Sequence, residues 1–101
     1  MALVKVASVG AVPSGEMIEV KVGERVLALC NVEGRLHAIE GTCPHLDGPL
    51  GQGALHGNTV VCPWHAWEFD CRTGENDRNP DVKLATFPVR VEGDDIVIEL
   101  D

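Results

Sequence analysis

The sequence predicts an all-β fold, a small antiparallel β-sandwich or barrel, and three observations carry that expectation. Glycine occurs 11 times and proline 6 times in 101 residues, so few windows of ten escape both, and each interrupts a helix. The apolar runs between them are rich in Val and Ile, whose branched side chains suit a pleated sheet. The runs are short, and some are joined by only two turn residues, as in hairpins.

In chain order, Leu3 to Ser8 opens as a strand and Pro13-Ser14-Gly15 turns. Ile18, Val20 and Val22 alternate with Glu19 and Lys21, the period of a half-buried strand. Gly23-Glu24 connects tightly to Arg25–Val32, a continuous apolar run that reads as a strand buried on both faces. Glu33-Gly34 leads into Leu36 to Glu40, so two hairpins form a meander. From Gly41 to Asp70 the texture changes: Gly, Pro and His concentrate, with short apolar pieces at Thr59 to Val61 and Trp67 to Phe69. A mostly irregular, functional insertion is expected there, at roughly 41–70. Lys83 to Val91 and Ile96 to Leu100 then resume the strands through Gly93-Asp94-Asp95. The length suits one domain over residues 1–101, and an apolar content of 45% is enough for a core.

Charge narrows the class of partner. Sixteen Asp and Glu against eight Lys and Arg give a formal net charge of −8. Nucleic acid and anionic membrane both demand a basic surface, so neither is expected as a partner. A basic patch on another protein is the better match. No apolar run reaches the roughly 18 residues that span a bilayer, and the first residues lack a signal-peptide pattern. The expected location is cytoplasmic. Thiols stay reduced there, which makes metal binding the leading use for some of the four cysteines.

The chemistry concentrates in Cys43-Pro44-His45 and, sixteen residues later, Cys62-Pro63-Trp64-His65. Each arm offers one thiolate and one imidazole on a loop stiffened by proline. A structural zinc ion accepts two Cys and two His, but such sites usually pair Cys with Cys and His with His. Mixed arms suit two adjacent metal ions of different preference, as in a two-iron, two-sulfide cluster with His replacing Cys on one iron. Zinc in a binding module remains the alternative.

Cys-x-His followed by Cys-x-x-His resembles the Rieske family. Gly41-Thr42-Cys43-Pro44-His45 and Cys62-Pro63-Trp64-His65-Ala66-Trp67-Glu68-Phe69-Asp70 are similar to its two cluster-binding loops. Arg72-Thr73-Gly74 is similar to the turn that follows the second loop. The resemblance implies one [2Fe-2S] cluster per chain, with Cys43 and Cys62 on a buried inner iron. His45 and His65 would hold the outer iron near the tip of the domain. Leu46 would cap the cluster, and Pro80 falls where the family has a third, proline-bearing loop, although an ordinary turn fits it equally well.

Departures from the family pattern carry information too. Respiratory Rieske proteins have an extra cysteine in each loop, joined as a disulfide; the matching positions here are Gly48 and Trp64. Their cluster-bonding Ser and Tyr match Trp67 and Phe69, which carry no hydroxyl. Fewer hydrogen bonds to sulfur lower the potential, so a value on the order of −150 mV is expected. A low-potential domain of this kind resembles the ferredoxin component of bacterial aromatic-ring dioxygenase systems. That resemblance implies a flavin-dependent ferredoxin reductase as electron donor and a terminal Rieske oxygenase as acceptor. The small subunit of a nitrite-reductase-like enzyme is the alternative within redox proteins. The chain is not expected to be an enzyme itself, because His37 and His56 have no nearby carboxylate in a facial-triad pattern.

The remaining candidates read as packing or surface. Cys30 belongs to a buried strand, and Cys71 reads as packed or partly exposed. His37 reads as a surface strand residue and His56 as a turn residue. Trp67 reads as packing, while Trp64 is open between packing and partner contact.

Overall fold

The computed structural model describes residues 2–44, 48–64, 67–79 and 81–100. Ten strands run through them: β1 Ala2–Ser8, β2 Met17–Val22, β3 Arg25–Val32, β4 Arg35–Glu40, β5 Ala54–His56, β6 Thr59–Val61, β7 Glu68–Asp70, β8 Thr86–Phe87, β9 Val89–Glu92 and β10 Asp95–Leu100. Single 3-10 turns at Val9–Ala11 and Leu50–Gln52 are the helical elements among the described residues. None of them is long and apolar enough to cross a membrane.

All named pairings are antiparallel and sort into three sheets, β1-β10-β9, β2-β3-β4-β8 and β5-β6-β7. The middle of this arrangement is set by β3. Leu27 through Asn31 are all buried, as a continuous apolar run predicts for a strand covered on both faces. Side chains alternate along it. Leu27 and Leu29 pack into one cluster with Val20, Ile96, Ile98 and Leu100. Ala28 and Cys30 pack into a second with Ile39, Leu50, Val60, Phe69 and Leu84. The four-stranded sheet is therefore a central layer, with β1-β10-β9 on one side and β5-β6-β7 on the other. Each buried Leu or Ile stabilises this sandwich by about 1.5–3 kcal/mol relative to exposure.

The β3–β4 hairpin closes through Glu33 (φ 53°) and Gly34 (φ 88°), two successive left-handed residues whose twist matches the strands. Asn31 fixes this corner from inside. Its Oδ1 accepts from the Gly34 amide at 2.8 Å, and its Nδ2 donates to the Val12 carbonyl at 2.8 Å.

One segment differs from the sequence expectation, and another adds detail to it. The run from Lys83 to Val91 is two strands in different sheets. Thr86 and Phe87 pair with β4, whereas Val89 to Glu92 pair with β10. The break falls at Pro88, which has no amide to continue a ladder but whose carbonyl accepts from Glu99 at 3.0 Å. This strand switch connects the central sheet to the outer one. The insertion at 41–70 is mostly irregular, as expected, but it also holds a small sheet of three-residue strands, β5, β6 and β7. Its hydrogen bonding continues past Asp70, with bridges Phe69 to Asn76 and Glu75 to Lys83.

Candidate metal centre

Both cysteine-bearing loops leave ordered strands and are pinched at their bases. The first starts at the end of β4. Leu50 N donates to Gly41 O at 2.9 Å, Thr42 bridges Pro49, and Cys43 N donates to Gly48 O at 2.8 Å. The second joins β6 to β7, where Val61 pairs with Glu68 and Cys62 N donates to Trp67 O at 2.8 Å. Both thiols point inward. Cys43 is 0% exposed and Cys62 2%, and both belong to the apolar cluster between the central and small sheets.

The two loops touch at Gly48. A Cβ there would lie 2.6 Å from Cys62 Sγ and 3.4 Å from the Trp64 ring, closer to the sulfur than real side chains come. Only glycine lets the first loop approach the second this tightly. Gly48 and Trp64, the two positions matched to the respiratory disulfide, thus lie side by side without one. Two reduced thiols, buried together on facing loops, are the inner half of the donor set that a mixed Cys/His cluster needs. The residues present fit such a group. His45, Leu46, His65 and Pro80 lie outside the described residues, and among the described residues no set of three or more His, Cys, Asp or Glu side chains is grouped as for a metal ion.

Phe69 is completely buried and Trp67 packs beside it, ring centroids 6.4 Å apart, which bears out a packing role for Trp67. Trp64 is 62% exposed at the second loop, flanked by exposed Pro63. Cys30 and Cys71 are both buried. His56 is the exposed last residue of β5 rather than a turn residue, because the Gly57-Asn58 turn begins after it. His37 is half-buried, and burial lowers its pKa below the ordinary value.

Two positioning residues were not singled out from the sequence. Asn76 is buried, and its Oδ1 accepts from the amides of Arg78 and Asn79, both at 3.0 Å. Its Nδ2 donates to Glu68 O at 3.2 Å, which anchors the segment leading to Pro80 against β7. The signal was an Asn ahead of a turn-rich Asp-Arg-Asn run, the pattern of an Asx turn. Asp70, at the end of β7, accepts from Arg72 N at 2.8 Å, Arg72 Nη2 at 2.9 Å and Asn58 Nδ2 at 3.1 Å. Those bonds, above all from the Arg72 side chain, hold its carboxyl below the ordinary carboxylate value. They brace the turn after the second loop.

Comparison with known proteins matches this arrangement. Residues 2–88 fit the model of the Rieske [2Fe-2S] domain. The ferredoxin component of biphenyl 2,3-dioxygenase from Rhodococcus jostii (strain RHA1) is 39% identical over 102 aligned residues, covering 100% of this chain and 95% of that protein. Among solved structures, the ferredoxin of Sphingomonas yanoikuyae B1 superposes with a TM-score of 0.90 at 27% identity, over 99% of this chain and 100% of that one. A chain in the complex of reduced oxygenase and oxidised ferredoxin of carbazole 1,9a-dioxygenase reaches 0.86 at 30% identity, over 98% and 97%. With its loops, its paired buried thiols and a match along nearly its whole length, the chain belongs to the Rieske [2Fe-2S] domain family.

Proposed function

We propose that this chain is a low-potential one-electron carrier in which Cys43 and Cys62 hold the inner iron and His45 and His65 the outer iron of its single [2Fe-2S] cluster. It takes electrons from a flavin-dependent ferredoxin reductase and delivers them to the terminal oxygenase of a dioxygenase system. The observation that supports this most directly is the pair of buried thiols on two loops pinched together at Gly48.

When bound, the cluster accepts and returns one electron at a time. The chain's own residues do the rest. Burial of Cys43 and Cys62 within the apolar cluster keeps water from the sulfur side. The hydrogen bonds that pin the loop bases hold the two thiols in place, which limits rearrangement on electron gain or loss. Pro44, Pro63 and Trp64 are exposed on the same two loops and offer a partner a small, stiff, partly apolar surface. The chain alters no organic substrate; oxygen chemistry belongs to the acceptor.

The test is anaerobic reduction followed by electron paramagnetic resonance. The expected signal has a lower average g value than an all-cysteine cluster gives. His45→Cys and His65→Cys should each shift that signal or lose the colour. Colourless protein without acid-labile sulfide, or a signal untouched by both substitutions, overturns the assignment.

A further inference from the structure

Gly48 closes on the sulfur of Cys62, and the loop base ties the Cys62 amide to Trp67 O. The Cys62 backbone has a third support. After the first loop the chain makes the 3-10 turn Leu50–Gln52 and enters β5 through Gly53. Gly53 lies against the two peptide groups that flank Cys62. A Cβ there would overlap the Val61 carbonyl oxygen and lie 3.1 Å from Cδ of Pro63. The φ of Gly53 is −84°, outside the left-handed region, so glycine is required for space alone.

The turn behind Gly53 has firm backing. At Gly51 a Cβ would come 2.7 Å from Glu19 Cβ and 2.8 Å from Glu19 Cα, so the backbone there rests on β2. Between the two glycines, Gln52 Nε2 donates to Glu19 Oε1 at 3.2 Å. Gln52 N donates to Pro49 O and Gly53 N to Leu50 O, both at 3.0 Å. Leu50 is fully buried in the apolar cluster that holds Cys62. The turn is a wedge between the central sheet and the second cysteine loop, with no room for a methyl group at either contact. Close-packed backbone transmits a displacement more than it absorbs one. A change at Gly53 must therefore reach Cys62, and a change at Gly51 must reach it through Gly53.

We propose that Gly53 is a positioning residue for electron transfer: braced on β2 through Gly51, it fixes the Cys62 backbone and thereby helps to set the potential of the cluster. This rests on Cys62 as a cluster ligand, as proposed above. Cys43 is 0% exposed and Cys62 2%, so the packing keeps water from both sulfurs. A methyl group on Gly53 pushes Val61 and Pro63 away from the wedge and opens the packing around Cys62. Reduction adds one negative charge to the cluster, and water that gains access stabilises that charge. The reduced form gains, and the potential rises. A glycine that served folding alone would change stability and leave the potential where it was.

The experiment compares wild-type holoprotein with Gly53→Ala, Gly51→Ala and Leu100→Ala by redox titration, by electron paramagnetic resonance of the reduced state and by denaturant unfolding. Gly53→Ala should show a higher midpoint potential and shifted g values. Gly51→Ala, whose methyl group meets Glu19 first, should move both in the same direction by less. Leu100→Ala removes packing on the far face of the central sheet. It should lower the unfolding midpoint and leave potential and g values at those of wild type. A Gly53→Ala potential at or below wild type overturns the proposal. So does a potential in Leu100→Ala that rises as far as in Gly53→Ala. Should Gly53→Ala assemble no cluster, Gly51→Ala decides in its place, and wild-type values there overturn the proposal. Wild-type protein without iron and sulfide would instead defeat the ligand assignment of Cys62, whereas wild-type values in both glycine variants defeat the positioning alone.

Discussion

Gly48 shows how a single hydrogen atom in place of a methyl group can decide whether two loops meet. An added Cβ would sit 2.6 Å from Cys62 Sγ, and the Gly48 carbonyl is already engaged by the Cys43 amide. Gly48→Ala must therefore displace a sulfur proposed as ligand or break the hydrogen bond behind the other one. Overpacking of this kind costs about 1–3 kcal/mol. The expected result is a lower unfolding midpoint and less iron and sulfide per chain. Gly10→Ala is the control, since nothing lies within 4 Å of its added Cβ and its backbone is not left-handed. Equal iron content in the two variants would remove Gly48 from the centre's construction. At this scale the sequence was uneven. Cysteine and histidine spacing pointed to the proposed donors because metal chemistry restricts residue type. Gly48 was noticed only as a missing cysteine, since its importance lies in a neighbour 14 positions further along the chain (62 − 48).

The elements divide in the same physical way. β2, β3 and β4 were legible because each carries enough residues for its burial pattern to show: alternation in β2, a continuous apolar run in β3. β5, β6 and β7 have three residues each, too few for a period, and their pairing is set by the turns between them. The sheet change at Pro88 hid inside an apolar run because a proline at a strand edge looks the same whichever sheet follows. The end of β7 offers a test of how firmly the small sheet is held. Asp70 has a folded-state pKa below its ordinary 3.8, mainly through the Arg72 side chain. A depressed carboxyl contributes stability that is fully present above the unfolded value and fades as pH falls through the folded one. Asp70→Asn should thus unfold at lower denaturant than wild type near neutral pH. The gap should narrow below pH ~4 and close once the wild-type carboxyl is protonated. Denaturant midpoints of both proteins across that range check it. A constant gap would mean that Asp70 acts through shape and not through charge.

Across the whole molecule, the cluster loops and the charge serve different stages of one encounter. The described part of the loops exposes Pro44, Pro63 and Trp64, a partly apolar contact suited to brief encounters. A carrier that shuttles between a donor and an acceptor needs that brevity, since tight binding to either would stall it. Speed must then come from association. A net charge of −8 on 101 residues supplies a long-range field that draws basic surfaces together before contact. Such steering raises association rates by about 10–1000-fold and is screened over ~10 Å at 0.1 M salt. The second-order rate of cluster reduction by the proposed reductase should therefore fall by about tenfold or more as salt rises from ~0.02 to ~0.5 M. The first-order rate within a preformed complex should barely change, because the electron's path is set by contact geometry. Stopped-flow reduction over a salt series separates the two. A second-order rate that stays flat or climbs with salt would show that the acidic surface serves solubility alone and that the exposed loop residues guide docking by apolar contact.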